Sequence, residues 1–131
     1  MPDAIQQFVM PIRRTIESYA LRLFHHELQE QDFVRWNEIL ERMRTACQQG
    51  DLATIAELDV AMHRSFLERS GQPDLLAIWS IVVARMYHHF FVAVQSYDDL
   101  MKLYDEHVAL IAAFRDQDVD QSVRALEEHI W

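Results

Sequence analysis

Hydrophobic positions recur every three or four residues along nearly the whole chain, which is the period of an α-helix. No stretch alternates apolar and polar residues as a half-buried strand does, and no hairpin turn signal is present. Residues that typically begin or end helices punctuate this pattern: Pro11, Gly50, Asp51, Gly71 and Pro73. The first half of the chain is therefore predicted to be helical between these points.

Two later helix starts are predicted by the cap-like sequences Ser96-x-x-Asp99 and Asp118-x-x-Gln121. Taken together, the signals predict six helices, at residues 11–28, 31–49, 51–70, 73–95, 97–116 and 118–131. Connections this short join antiparallel neighbours. We therefore predict an all-α fold, a single antiparallel helical bundle over residues 11–131, with residues 1–10 as a linker or as the start of the first helix.

The fourth predicted helix, residues 73–95, is apolar nearly all round. A helix of this kind is expected at the centre of a bundle. If it is central, Arg85 and His89 point into the interior, where they need an anion, a carboxylate partner or ordered water.

Composition and charge narrow the possible functions. Half of the 131 residues are hydrophobic, which predicts one globular domain, and the net charge of -9 argues against direct binding to nucleic acid. A lone cysteine, Cys47, excludes an internal disulfide framework. No signal peptide is visible at the start, and Arg85, His88 and His89 interrupt the longest apolar run, so a membrane span is not expected. We predict a cytoplasmic domain with no membrane contact.

An acidic residue interrupts the apolar stripe of the third predicted helix. Asp59 and His63 stand four residues apart on that stripe, so both side chains lie on one face of the helix. An unpaired carboxylate in such a place is costly. Carboxylate and neutral imidazole together form a ligand set for a first-row metal.

Two later histidines are expected to meet this pair. His107 precedes Asp118 by eleven residues and His129 follows it by eleven, so an antiparallel hairpin places them side by side. The prediction is a metal site formed by Asp59, His63, His107 and His129. Two alternatives remain: hydrogen-bonded core histidines without a metal, or a buried ion pair between Asp59 and Arg85.

Other polar residues have simpler interpretations. Arg13 and Glu17, also four residues apart, are interpreted as a weak surface pair. The acidic cluster Asp98, Asp99, Asp105 and Glu106 is interpreted as a solvated helix face.

The order of these motifs resembles a known family. It runs Arg13-x-x-x-Glu17, Glu57-Leu58-Asp59-x-x-Met62-His63, Ser70-Gly71-Gln72-Pro73, Glu106-His107 and Glu128-His129. This order is similar to that of the FadR C-terminal (FCD) effector domain of GntR-family transcription regulators. The resemblance implies a bundle of six to seven helices and a divalent metal, zinc first and nickel or manganese next, held by Asp59, His63, His107 and His129.

The resemblance also implies a ligand and partners. The effector is expected to be a small carboxylate bound at the metal, with Arg13 and Arg85 matching the arginines that hold it in the family, and with His89 assigned to the same ligand. A homodimer is expected, with DNA bound only through an N-terminal winged helix-turn-helix domain that this sequence does not include. Departures at Met62 and Gln72 leave the metal ligands unchanged.

The resulting prediction is a ligand-sensing, non-enzymatic domain of a bacterial transcription regulator. Two alternatives are a metal-dependent hydrolase or lyase of small acids and a purely structural metal-binding bundle. The enzyme is disfavoured because no general base is predicted beside the metal, since Asp105 and Glu106 fall off the inward stripe.

Overall fold

A computed structural model describes residues 4–116 and 118–130 of the chain. A short π-helical turn, Ile5–Val9, leads into the first α-helix, and a 3-10 turn, His25–Glu27, follows it. The α-helices are α1 (Met10–Phe24), α2 (Glu30–Gln49), α3 (Leu52–Arg69), α4 (Pro73–Ala84), α5 (Tyr87–Gln95), α6 (Leu100–Asp116) and α7 (Val119–His129). No strand occurs in the described part of the chain, so the predicted all-α fold is confirmed.

Local chemistry explains most of the helix boundaries. Gly50 ends α2 in the left-handed conformation, with φ +66°, which only glycine adopts without strain. Asp51 then caps α3 by accepting a hydrogen bond from the Thr54 backbone N–H, and Asp118 caps α7 in the same way. At the start of α6 the capping residue is Asp99 rather than Ser96, because the Asp99 carboxylate accepts from the Met101 backbone N–H.

The single helix predicted over residues 73–95 is wrong. It is divided at Arg85 and Met86 into α4 and α5, whose axes are bent by 62°. At the break the backbone N–H groups of both residues bond to carbonyls three residues back, which tightens the turn and ends α4. Neither glycine nor proline marks this point, so the sequence pattern could not reveal it.

The predicted central position of that segment is also wrong, because α3 is the central helix. Helix α3 packs against α1, α2, α4 and α5, whereas α4 leaves Ile78 and Ile81 exposed to solvent. The segment is apolar all round, but it is covered on one side only.

The largest part of the core is aromatic and surrounds Trp36 of α2, whose side chain is 1 % exposed. Four rings lie with centroids 5.3 to 6.2 Å from it, those of Phe24, Phe33, Phe66 and Phe114. These contacts join α1, α2, α3 and α6 at one end of the bundle. They hold α3 and α6 together, and both helices carry candidate metal ligands.

Among the described residues, no single helix combines the length and apolar character needed to cross a membrane, although α4 and α5 together meet that test across their bend.

Candidate metal centre

The four residues predicted to bind a metal converge in the interior of the bundle. Asp59 and His63 come from α3, His107 from α6 and His129 from the last turn of α7. One donor atom of each residue lies within 4.8 Å of the donor atoms of the other three. The hairpin of α6 and α7 brings His107 and His129 together as expected from their equal distances to Asp118, with ring centroids 4.6 Å apart.

The carboxylate of Asp59 contacts two of the three imidazoles. Its Oδ1 atom is 2.9 Å from Nε2 of His107 and 3.4 Å from Nε2 of His63. The His63 and His129 rings are stacked with centroids 5.1 Å apart. Three imidazoles and one carboxylate therefore surround a common point, which is the donor set of many first-row metal sites.

The hydrogen bonds behind the rings agree with metal ligation. Nδ1 of His107 lies 2.8 Å from the Leu103 carbonyl oxygen, which can only accept, so Nδ1 carries the proton and Nε2 faces the cluster. Nε2 of His63 is fully buried and has no hydrogen-bond partner among the described residues. Because a buried ring nitrogen without a partner is unfavourable, the donor set fits a cation at this point.

The electrostatic environment holds Asp59 and His129 in the protonation states that metal ligation requires. Burial alone would raise the pKa of Asp59, but the neighbouring imidazoles of His107 and His63, His107 most of all, hold it well below its usual range. Burial and the neighbouring charges of His107 and His63 lower the pKa of His129 to about 2. Asp59 is therefore a carboxylate, and His129 a neutral imidazole with a lone pair available, throughout the physiological range.

A cavity of about 70 Å³ adjoins the four residues, and Arg13 and His89 line it. One water molecule needs roughly 10 to 15 Å³ of such space, so the cavity holds a few waters or a ligand of a few heavy atoms. Arg85 was expected to point into the interior, and this expectation is wrong. The break between α4 and α5 leaves Arg85 exposed and outside the cavity wall.

The interpretation of Arg13 and Glu17 as a surface pair is wrong as well. Both side chains are buried, and the Arg13 Nε–H donates to Glu17 over 2.6 Å. The Arg13 guanidinium lies 4.7 Å from the centroid of the Phe90 ring in the cavity wall. Both residues lie on the apolar stripe of α1, but their spacing of four residues is also that of a surface ion pair, and only the packing of α3 and α4 against α1 decides between the two.

Sequence reasoning also missed two residues at the edge of the cavity. Tyr97, in the connection between α5 and α6, donates a hydrogen bond from its hydroxyl to Glu106 over 2.5 Å, and both residues line the cavity. Glu106 was interpreted as part of a solvated face and was expected to lie away from the metal ligands, and this expectation is wrong because Glu106 lines the same cavity as they do. The contact between Tyr97 and Glu106 depends on the loop between α5 and α6, whose path the helical pattern does not predict.

Comparison with known proteins decides the family. A family model for the FCD domain matches residues 9–131. The chain belongs to the FCD family. Among solved structures, E. coli McbR/YncC is similar to this chain, with a TM-score of 0.86 at 21 % sequence identity. The match covers 98 % of this chain and 62 % of that protein, and no curated protein gives a significant match.

The predicted resemblance to the FCD domain is thus confirmed. At 21 % identity the structural likeness establishes the fold alone, and the family match establishes the kind of domain. FCD domains are the ligand-sensing parts of regulators, so family membership implies an effector-binding, non-enzymatic role. The metal, the effector and the partners are a separate question.

Proposed function

We propose that this FCD domain senses a small organic acid at a buried divalent metal ion and thereby controls a bacterial transcription regulator. Asp59, His63, His107 and His129 would hold the ion, with zinc first and nickel or manganese as the alternatives. The observation that carries the proposal is the convergence of four donor atoms from three helices, one of them Nε2 of His63, which has no hydrogen bond to any residue that the structure describes.

Charge explains why the ligand would be an acid. Three neutral imidazoles and one carboxylate leave a divalent ion with a net charge near +1, and the bound ion would supply Lewis-acidic positions for a carboxylate oxygen. Arg13 adds a guanidinium at the cavity wall, although Glu17 already balances its charge. Attraction between unit charges 4 Å apart rises from about 1 kcal/mol in water to about 4 kcal/mol at an effective dielectric of 20.

Cavity size supports a small effector. About 70 Å³ accommodates a few heavy atoms rather than a long acyl chain. The proposed ligand contacts beyond the ion are Arg13 of α1 and His89 of α5. Arg85 is left out of the proposed site because it is exposed.

Signal transmission would follow from the number of helices that meet at the site. Ion and acid together would contact α1, α3, α5, α6 and α7, and a ligand shifts a conformational equilibrium only through its different affinity for the two states. We propose that the domain acts in the cytoplasm as a homodimer, and that the acid changes the arrangement of the two copies and of N-terminal DNA-binding domains outside this chain. Small-angle scattering of the full-length regulator with and without effector tests this step, and identical profiles would contradict it.

The proposed ligand-binding function is tested by elemental analysis of the purified chain followed by a thermal-shift screen. Chain freed of metal with a chelator is reloaded with zinc, nickel or manganese and heated in the presence of mono-, di- and tricarboxylates. We expect metal at one equivalent, and a rise in Tm for at least one small acid that depends on the metal.

Matched variants separate ligand binding from general stability. His89→Ala should weaken the acid-dependent rise in Tm, whereas Arg85→Ala, which removes an exposed charge outside the cavity, should leave it unchanged. Absence of any metal binding would overturn the metal site. Turnover of an added acid that disappears in His107→Ala would replace the sensor with an enzyme.

A further inference from the structure

Behind the His63 ring, outside the lining of the cavity, lies a carboxylate that is not one of the candidate ligands. Glu17 of α1 has 0 % exposure and accepts hydrogen bonds from three different helices. Its partners are Nδ1 of His63 at 2.5 Å, Nε of Arg13 at 2.6 Å and Nε1 of Trp79 at 3.0 Å. A buried carboxylate held by so many donors has a fixed position.

Two of the three groups that bond to Glu17 can act only as hydrogen-bond donors. Arg13 and Trp79 present N–H groups that only donate, and the buried Arg13 guanidinium, 2.6 Å from Glu17, pairs with it as an ionised carboxylate. An ionised carboxylate only accepts, so the third contact requires a proton on Nδ1 of His63. In the neutral ring this leaves the lone pair on Nε2, the buried atom that faces Asp59 and has no partner among the described residues.

We propose that Glu17 is a positioning residue for the metal centre, which fixes the tautomer and the ring orientation of His63 so that Nε2 is directed at the ion. This inference rests on the proposed metal-binding function. A ligating histidine commonly donates its other N–H to such a carboxylate, and loss of that partner lowers metal affinity about 10- to 100-fold. Leu103 plays the equivalent part for His107 with a backbone carbonyl, which no side-chain substitution can remove.

A purely structural role for Glu17 is the alternative, and a matched control distinguishes the two. Ser65 lies on α3, two residues from His63, is equally buried and joins Trp36 to the Met62 carbonyl through its hydroxyl. Ser65→Ala therefore removes two buried hydrogen bonds from α3, the helix of His63, without changing a residue of the metal cluster. Glu17→Gln keeps the size of the side chain but removes the charge and allows its amide to donate or accept.

The experiment measures zinc affinity by competition with a chromophoric chelator, and the stability of the metal-free protein by urea unfolding, for wild type and both variants. We expect Glu17→Gln to bind zinc 10- to 100-fold more weakly and Ser65→Ala to bind within threefold of wild type, even where both variants lose stability. Equal zinc affinity in Glu17→Gln and wild type would overturn the proposal for Glu17 while leaving the metal site intact. Wild-type protein that binds no zinc would overturn the metal site itself, and with it the role of Glu17.

A second measurement does not depend on the folding of a variant. Long-range ¹H–¹⁵N correlation spectra of the metal-free wild type, recorded in alkaline buffer where the His63 ring is neutral, report which ring nitrogen of His63 carries the proton. We expect the Nδ1–H form; a His63 ring with its proton on Nε2 alone would contradict the proposal, whatever the affinities show.

Discussion

Lowering the pH from 6.5 to 5.0 should destabilise the metal-free protein by about 1.5 to 2 kcal/mol through one side chain, His129. Burial and the charges of His107 and His63 lower the pKa of His129 from 6.5 to about 2. Below pH 6.5, His129 is therefore protonated in the unfolded chain but stays neutral in the folded protein. The free energy of unfolding falls by about 0.7 kcal/mol per pH unit at pH 6.5, where half of the unfolded chains are protonated at this residue, and by about 1.4 kcal/mol per unit near pH 5, which gives about 1.5 to 2 kcal/mol over the window.

Two other groups with shifted pKa values, Glu17 and His63, change the stability mainly outside the range from pH 5.0 to 6.5. The pKa of Glu17 is lowered from 4.5 to about 2, so its contribution to stability is lost only as the pH falls below 4.5. The pKa of His63 is raised above 6.5: burial opposes that shift, but Glu17 outweighs it. Its contribution is fully present below pH 6.5 and is lost as the pH rises through the folded-state value.

Urea unfolding of chelator-treated protein, followed by circular dichroism at constant ionic strength, measures the effect at pH 6.5, 6.0, 5.5 and 5.0. The control is His129→Gln, which keeps a polar side chain at the position but cannot take up the proton. We expect the slope of unfolding free energy against pH, averaged from pH 6.5 to 5.0, to be steeper in wild type by about 1 kcal/mol per unit. Equal slopes in the two proteins would refute the reasoning.

Three further predictions concern metal binding and the core. Zinc at 100 times its dissociation constant should stabilise the protein by about 2.7 kcal/mol, seen as a higher Tm that His107→Ala abolishes; an equal rise in that variant would argue against ligation. Arg13→Met leaves a buried carboxylate without its cation and should cost about 3 to 5 kcal/mol in urea unfolding, against less than about 1 kcal/mol for Arg22→Met, whose ion pair is exposed. Phe66→Ala, at 0 % exposure, should cost about 3 to 5 kcal/mol, and Ile81→Ala, at 71 % exposure, about 0.5 or less; comparable losses would mean that the core is misassigned.

Local sequence was sufficient to place the candidate ligands within each pair, because each pair depends on the geometry of one helix or one hairpin, whereas the meeting of the two pairs depends on packing. Asp59 and His63 share a face through their spacing of four residues, and the hairpin about Asp118 pairs His107 with His129. The caps at Asp51 and Asp118 were equally local. None of these arguments required knowledge of which helices pack together.

The sequence by itself therefore determined an all-α bundle and the face of each helix that carries the candidate ligands, because period and capping act within one or two helical turns. Tertiary packing alone decided three things: that α3 rather than residues 73–95 is central, that Arg85 is exposed at a bend, and that Glu17 and Arg13 lie buried behind and beside His63. The physical reason is that an apolar stripe predicts which face of a helix is buried, but not which other helix packs against that face. Arg13 and Glu17, with the same spacing as a surface ion pair, become part of the core once α3 and α4 close over them.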